Sequence, residues 1–345
     1  MVFWILSPRS SQKRWNKSSR SDLMSRMAWK QREREVKGEI MRTDIFIQVF
    51  SETRDAESME ADLDRAFRMF RDFESRFSRF REESELSALN RSSVCRVSDD
   101  LLEMILLCRE YFVETDGVFD PTILPILERE GYRSSFGTEG FGVPGEGGTV
   151  RQYDFSDIQV DRSSRTISKP SDCRIDLGGI GKGCIVDRVA RMLSEQYRNF
   201  IVDAGGDMYL SGGNRIGHIP YFVIDIEDLS REDRSAGTLL LSDRAVATSG
   251  VNRRRWQQGG VEKSHLVHPE ENRSISGDIL TVTVVDPSPV RADIMAKTLS
   301  ILGREQGKVF AKEKSLPAFF LLKDGTMEAN EFIKPYLWEN DTFSS

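Results

Sequence analysis

The residues best suited to chemistry begin with a glycine-rich run, DLGGIGKG at 176–183, in which Gly178, Gly179, Gly181 and Gly183 fill four of six positions. Glycine is needed where φ is positive or where another group approaches the backbone closely. Since an apolar helical pattern follows directly, the run predicts either a phosphate-binding backbone at a helix start or a tight turn packed between a strand and a helix. The Walker A ending is absent, and a GxGxxG fingerprint requires glycine where Cys184 stands.

Histidine and cysteine offer weaker signals. The spacing of His265 and His268 allows both to bind one metal ion. The sequence shows no third ligand, so this pair alone is weak evidence for a metal site. The four cysteines, at positions 95, 108, 173 and 184, form no CxxC motif, which argues against a disulfide framework and against a thiolate zinc site. Scattered thiols of this kind indicate a reducing compartment, so we expect a cytoplasmic protein.

Composition narrows the class of protein. The chain has 345 residues, 39% of them hydrophobic and 30% charged, which is ordinary for a globular protein. A net charge of -6 argues against a nucleic-acid-binding body, because no basic excess is available to neutralise phosphates. No apolar stretch is long enough to span a membrane, and no export signal is visible.

The two ends differ from the rest of the chain. Residues 1–38 are rich in Lys, Arg and Ser with few apolar residues, which predicts a disordered basic arm. Residues 39–335 are predicted to form the folded domain, with a flexible Gly-rich loop at about 134–150, and residues 336–345 a C-terminal tail.

The elements that must position these residues mix strands and helices irregularly. Strand patterns occur at 41–50, 158–160, 166–167, 199–210, 221–226, 238–241, 279–285 and 318–322. Helical apolar periodicity occurs at 56–80, 99–111, 186–193 and 292–302, with Ser98 as a predicted N-cap. The glycine pair within 199–210 suggests a bulge or a close backbone approach. This order predicts an α+β fold, not regular βαβ winding.

A family resemblance emerges when short segments are taken in order. They are Met41-Arg42-Thr43, Phe80 with Ser84-Glu85-Leu86 and Leu89-Asn90, FDPTI (119–123), DLGGIGKG (176–183), VDAGGD (202–207), ATSG (247–250), SHLVHP (264–269) and RADIMAKTLSILG (291–303). In this order they resemble the ApbE family of FAD:protein FMN transferases, over residues 41–322. The resemblance implies a two-lobed α+β fold with mixed or antiparallel sheets and a flavin cleft between the lobes.

The resemblance also implies a reaction. FAD binds in the cleft with Mg²⁺ at its pyrophosphate, a threonine or serine hydroxyl of an acceptor flavoprotein attacks the FMN-side phosphorus, and AMP leaves. Positioning and charge neutralisation supply most of the catalysis in such a phosphoryl transfer.

Site residues follow from the resemblance by position. The implied FAD contacts are Met41, Phe80, Val118, Phe119, Asp120, Gly178, Cys184 and Val267. Mg²⁺ would be held by the Gly181 carbonyl and the Asp293 carboxylate, and Lys182 lies where a cation meets the pyrophosphate. His265 would help to deprotonate the acceptor hydroxyl. The alternative for His265 is a strand-end histidine that is hydrogen-bonded to backbone.

Three departures from the family pattern bear on turnover. Lys297 stands where the family has a threonine that binds the metal, so it supplies a charge but no lone pair. Lys297 and Asp293 are four residues apart on one helix face, so pairing with Asp293 and displacement of the metal is the alternative to a magnesium site. Cys184 replaces a tyrosine and His268 an aspartate, while Arg42 for glycine is a smaller change.

Three functions therefore stay open at this point. The first is an FAD:protein FMN transferase. The second is a flavin-binding carrier of the same fold that has lost its metal, which Lys297 favours. The third is an FAD pyrophosphatase, in which water takes the place of the acceptor hydroxyl and the same metal is needed.

Overall fold

The computed structural model describes residues 32–134, 141–142, 152–213, 220–229, 234–251, 255–258 and 260–338. Its helices are α1 (Ala56–Phe77), α2 (Glu85–Asn90), α3 (Asp99–Glu114), α4 (Leu124–Arg129), α5 (Gly181–Ser194) and α6 (Pro289–Glu313). Its strands are β1 (Arg32–Ile40), β2 (Thr43–Ser51), β3 (Val94–Arg96), β4 (Gln159–Asp161), β5 (Thr166–Ser168), β6 (Asn199–Ala204), β7 (Asp207–Ser211), β8 (Phe222–Glu227), β9 (Ser235–Leu241), β10 (Arg244–Gly250), β11 (Arg255–Gln258), β12 (Val261–Ser264), β13 (Val267–His268), β14 (Arg273–Ser274), β15 (Ile279–Asp286), β16 (Ala318–Leu322) and β17 (Met327–Ala329).

An antiparallel sheet of eight strands forms the centre, in the order β1-β2-β6-β7-β10-β15-β16-β17. Both of its faces are covered by other elements. Alternate residues of a strand point to opposite faces, so neighbouring residues belong to different core clusters. Val202 of β6 lies in the core cluster that the sheet shares with α1, α5 and α6, whereas its neighbour Ile201 lies in a second cluster with the β8–β9 hairpin. The predicted α+β class is confirmed.

Two tight turns correct the predicted strands. Met41 and Arg42, placed at the start of a strand by the sequence, have φ values of 57° and 55° and form the turn between β1 and β2. Gly205 and Gly206 form the turn between β6 and β7, with φ values of 66° and 98°, so the predicted strand 199–210 is a hairpin. Positive φ at both central residues matches the twist of a two-residue hairpin.

The predicted boundaries of the domain also change. β1 begins at Arg32, inside the predicted disordered arm, because its charged residues alternate with side chains that face the sheet and it pairs with β2 along its whole length. Residues 1–31 lie outside the described residues. At the other end, Leu337 pairs with Leu239 and the Trp338 N–H donates to the Thr238 carbonyl at 2.8 Å, so the predicted tail begins within the fold.

Other predicted elements are confirmed with small shifts. Ser98 caps α3 by accepting the Leu101 N–H, and α1 and α3 fall where their periodicity placed them. Helix α6 is longer than predicted, starting at the Ser288 cap and continuing past a non-helical Gly303. Most of the loop predicted at 134–150 lies outside the described residues, but Phe141 packs edge-on against Tyr132. In the described ranges, no helix has both the length and the apolar composition needed to cross a bilayer.

Helices α5 and α6 cross at Gly183, which gives a test of the fold. A Cβ added to Gly183 would lie 2.8 Å from both the Pro289 carbonyl oxygen and the Val290 Cα. Because these are backbone atoms, Gly183→Ala should lower the free energy of unfolding by about 1–3 kcal/mol, as overpacking does. Urea denaturation measures this. The control is Gly277→Ala, which meets nothing within 4 Å, and equal stability of the two variants would contradict this packing.

Candidate functional site

Two cavities meet beside the start of α5, where they share three lining residues. The larger has a volume of ≈ 520 Å³ and the smaller ≈ 110 Å³. Gly178, His265 and Lys297 line both cavities. The larger volume alone falls within the range usual for ligand sites. A ligand with two ring systems joined by a charged linker therefore has a place for each part, with the linker at these three residues.

The larger cavity, named the polar cavity for the charged and hydroxyl side chains among its walls, has polar and apolar lining in about equal parts and lies over the middle of the central sheet. Thr248 of β10 and Thr283 of β15 line it, and their hydroxyl oxygens are 2.9 Å apart across the strand pair. Lys182, in the first turn of α5, also lines it and forms an ion pair with Asp207 at the start of β7. Asp225 on β8 adds a carboxylate, which accepts a hydrogen bond from the Thr238 hydroxyl at 2.8 Å. This cavity suits a ligand rich in hydroxyl and phosphate groups.

The smaller cavity is mainly apolar, with Phe80, Phe119, Leu127 and Tyr132 among its walls. The residues of a third, small core cluster, which includes Tyr132 and Trp256, form part of this wall and pack behind it. Its wall is aromatic, so it suits a flat ring system that stacks on side chains.

Arg79 connects this aromatic wall to the glycine run. Its guanidinium lies 4.1 Å from the Phe80 ring centroid and 4.7 Å from that of Tyr132. It also forms a 2.5 Å ion pair with Asp176, whose other oxygen accepts the Gly178 N–H at 2.8 Å. Both members of the pair are largely buried, with side-chain exposures of 6% and 12%. The position of Gly178 therefore depends on Arg79.

Close packing against protein atoms accounts for three of the four glycines of the run. Added Cβ atoms would meet the Asp176 carboxylate at Gly178, the Phe119 ring at Gly179, and the α6 backbone at Gly183. None of the four has a positive φ. A glycine-rich turn packed between elements is thus the correct interpretation for these positions, and a ligand is not needed to explain the missing side chains.

Asp293 joins the two helices at the crossing. Its side chain is buried, and one carboxylate oxygen accepts the Gly183 N–H at 3.1 Å, at the positive end of α5. The other oxygen accepts a hydrogen bond from the Lys297 ammonium, one turn along α6. Asp293 therefore lies beside the glycine run, as predicted, and it forms the predicted pair with Lys297. Thr298 stands one position further along α6, about 100° around the helix from Lys297, and its hydroxyl donates to the Ile294 carbonyl at 3.0 Å.

This arrangement does not fit the magnesium ion that the resemblance implied. Mg²⁺ needs several oxygen lone pairs in an octahedral array. Here one Asp293 oxygen binds an N–H, the other binds an ammonium, and an ammonium provides no lone pair. Within the described residues no three His, Cys, Asp or Glu side chains come together as a metal site. The predicted ligand Gly181 is buried at the first position of α5, where an added Cβ would face Phe73.

His265 lies in the short connection between β12 and β13, half-buried, where it lines both cavities. Hydrogen bonds hold this turn. The Ser264 hydroxyl donates to the Leu266 carbonyl at 3.1 Å, and the Ser274 hydroxyl to the Ser264 carbonyl at 3.0 Å. His268 instead accepts the Glu271 N–H at 3.4 Å in the next turn and does not line either cavity.

Six of the eight implied FAD contacts come together at the apolar cavity. They are Phe80, Val118, Phe119, Asp120, Gly178 and Val267. Met41 and Cys184 do not line either cavity. Met41 packs against the main core from its hairpin turn, and its N–H donates to Glu74. Cys184 points into the helical core, where burial raises the pKa of its thiol to about 12. Their contact with FAD therefore stays a prediction that the lining of the two cavities does not support.

Part of the site was not predicted from the sequence. Arg79 and Tyr132 carried no motif, since their partners are distant in sequence and only folding brings them together. The two cavity-facing threonines of β15 did have a signal. Thr281 and Thr283 alternate with valine in an otherwise apolar strand, which marks one face as polar.

Fold and site together define an α+β protein with two joined cavities between an antiparallel sheet and a helix crossing. Comparison with known proteins gives the family. The sequence model of the ApbE family matches residues 41–320. A protein of Vibrio cholerae serotype O1, named FAD:protein FMN transferase, is 31% identical over 295 residues, which cover 82% of this chain and 86% of that protein. A protein of the same name from Escherichia coli K12 is 24% identical over 262 residues, covering 72% and 73% of the two chains.

Solved structures agree. The flavin transferase ApbE from Vibrio cholerae superposes with a TM-score of 0.75 at 26% identity, covering 89% of this chain and 100% of that one. The ApbE protein from Thermotoga maritima has a TM-score of 0.80 at 23% identity with the same coverage, which supports the fold. This chain belongs to the ApbE family.

The Lys182–Asp207 pair gives a test of the site's electrostatics. Asp207 has a side-chain exposure of 4% and Lys182 of 23%, so Lys182→Met leaves a buried carboxylate without its ammonium. We expect a loss of about 3 kcal/mol in the free energy of unfolding, as for one-sided removal of a buried pair, and partial recovery in the Lys182→Met/Asp207→Asn double variant.

The control for this change lies on the same helix. Arg191 is 80% exposed and pairs with Asp187 one turn away, so Arg191→Met should cost less than about 1 kcal/mol. Urea unfolding of the three variants measures the differences. A Lys182→Met loss no larger than that of Arg191→Met would show that the buried pair contributes nothing special.

Proposed function

We propose that this chain is an FAD:protein FMN transferase, which moves FMN from FAD to a threonine or serine hydroxyl of an acceptor flavoprotein and releases AMP. The observation that carries the proposal is the pair of cavities that meet at Gly178, His265 and Lys297. FAD has two ring systems joined by a diphosphate, so one end enters the apolar cavity, the other the polar cavity, and the diphosphate lies at the junction. The names of the relatives support the same activity.

Residues at the junction suit a phosphoryl transfer. The acceptor hydroxyl attacks the FMN-side phosphorus, the bond to the AMP phosphate breaks, and the hydroxyl proton must be removed. His265 is the candidate base, because its imidazole borders both cavities and can accept a proton at neutral pH. Lys182 and Lys297 bring positive charge to the diphosphate, where charge develops on the leaving AMP. The predicted Mg²⁺ takes no part in this proposal, because the Asp293 donor set does not fit it.

Incubation with FAD and an acceptor domain separates the three functions. Release of AMP together with flavin fluorescence on the acceptor in a denaturing gel supports transfer. AMP with free FMN would identify a pyrophosphatase, and bound but intact FAD a carrier. A cytoplasmic location remains part of the proposal, supported by four scattered cysteines that form no CxxC motif.

The His265 role predicts a specific kinetic defect. His265→Asn removes the base but keeps a polar side chain of similar reach, so kcat should fall by about 10²–10⁴-fold while FAD affinity changes little. The matched control is His268→Asn, which alters a histidine outside both cavities and should retain near wild-type kcat. AMP release under saturating FAD is the measurement. Wild-type turnover in His265→Asn would assign the histidine a structural role only.

A further inference from the structure

The Lys297 side chain occupies an unusual place for a charged residue. It is 12% exposed, in the middle of α6, and it borders both cavities at their junction. Its aliphatic part lies beside the glycine run, since a Cβ added to Gly179 would be 4.0 Å from the Lys297 Cδ. Burial of an ammonium is costly unless an anion compensates it. Asp293 provides one anion within the protein, and the junction is open to a second from a ligand.

The pairing of Asp293 with Lys297 disfavours a metal cation beside this ammonium. Asp293 is compensated twice, by Lys297 and by the N–H of Gly183 at the positive end of α5. Lys182 is compensated by Asp207. The polar cavity also contains Arg42, and two carboxylates, Asp225 and Glu227, on β8. A divalent cation that binds Asp293 would have to displace the Lys297 ammonium or lie directly beside it. Two positive charges in contact repel each other strongly in a buried site.

We propose that the Lys297 ammonium is a built-in substitute for a divalent cation, so that this protein binds the diphosphate of FAD without Mg²⁺. This inference rests on the proposed function, because it assumes that the diphosphate lies at the cavity junction. The pair with Asp293 holds the Lys297 ammonium in place at the junction. The ammonium then neutralises phosphate charge, so no metal ion is needed there. An ammonium is a point charge on a flexible stem that suits phosphate oxygens.

FAD binding in the presence and absence of metal tests the inference directly. Equilibrium dialysis of the wild-type chain with FAD should give dissociation constants in excess EDTA and in millimolar Mg²⁺ that agree within about threefold, or ~0.7 kcal/mol. Binding that is lost in EDTA and restored by Mg²⁺ would overturn the proposal. This comparison uses the unaltered chain, so it does not depend on the folding of a variant.

Lys297→Thr supplies the complementary result. The substitution removes the ammonium, frees one oxygen of Asp293 and adds a hydroxyl oxygen one turn away. We expect FAD binding in EDTA to weaken by about tenfold or more, ~1.4 kcal/mol, and Mg²⁺ to restore it. The matched control is Lys312→Thr, which makes the same change at an exposed lysine in the last turn of the same helix and should leave binding unaltered.

Titration with Mn²⁺ alone, followed by its electron paramagnetic resonance signal, gives a readout independent of flavin and of turnover. Wild-type and Lys297→Arg proteins should leave the ion free, and Lys297→Thr should bind it. Mn²⁺ binding by the wild type with the affinity of the Thr variant would contradict the inference. If no protein binds FAD under any condition, the proposed function fails, and the Mn²⁺ titration still decides whether Lys297 excludes a metal.

Discussion

The site depends on one buried carboxylate, Asp293, which connects the first turn of α5 to α6. Its hydrogen bond from the Gly183 N–H requires the two helices to approach at backbone contact distance, and only glycine at 183 permits that approach. A buried carboxylate needs compensation, and here a helix N-terminus and an ammonium provide it together. The same interaction that holds the helices therefore fixes a lysine at the cavity junction.

The rest of the fold positions other groups against this fixed point. The central sheet brings Thr248 and Thr283 to the floor of the polar cavity, and the β12–β13 turn brings His265 to its edge. Arg79 links the aromatic wall to Asp176 and so to the start of the glycine run. These groups come from elements far apart in sequence, yet each is held by a packed or hydrogen-bonded neighbour. Such pre-positioning is what a phosphoryl transfer needs from a protein.

Much of this could be predicted from the sequence. Helical periodicity and the Ser98 cap gave α1 and α3 because local spacing determines which face is buried. The four-residue spacing of Asp293 and Lys297 was enough to predict their pairing, since a helix brings such residues together. The order of the short motifs correctly indicated the family.

Other features required the structure. The sequence left open whether the glycine run faces a ligand or forms a packed turn, because the atoms that exclude side chains at three of its glycines belong to Asp176, Phe119 and α6, which no local pattern reveals. Cys184 follows the motif closely and yet faces the core, because its position on α5 turns it away from the cavities. Strand β1 was hidden because only Val36 and Ile40 of its less exposed positions are apolar, so the alternation of apolar and polar residues is weak. Long-range pairing and helix rotation are thus what sequence patterns left undetermined.

A crystal structure of the FAD complex, grown in EDTA, tests the central claim most directly. We expect the diphosphate at the junction of the two cavities, with a phosphate oxygen within hydrogen-bonding distance of the Lys297 ammonium and the Asp293 pair still in place. A diphosphate bound elsewhere on the sheet, or a Lys297 side chain turned away from both Asp293 and the diphosphate, would contradict it.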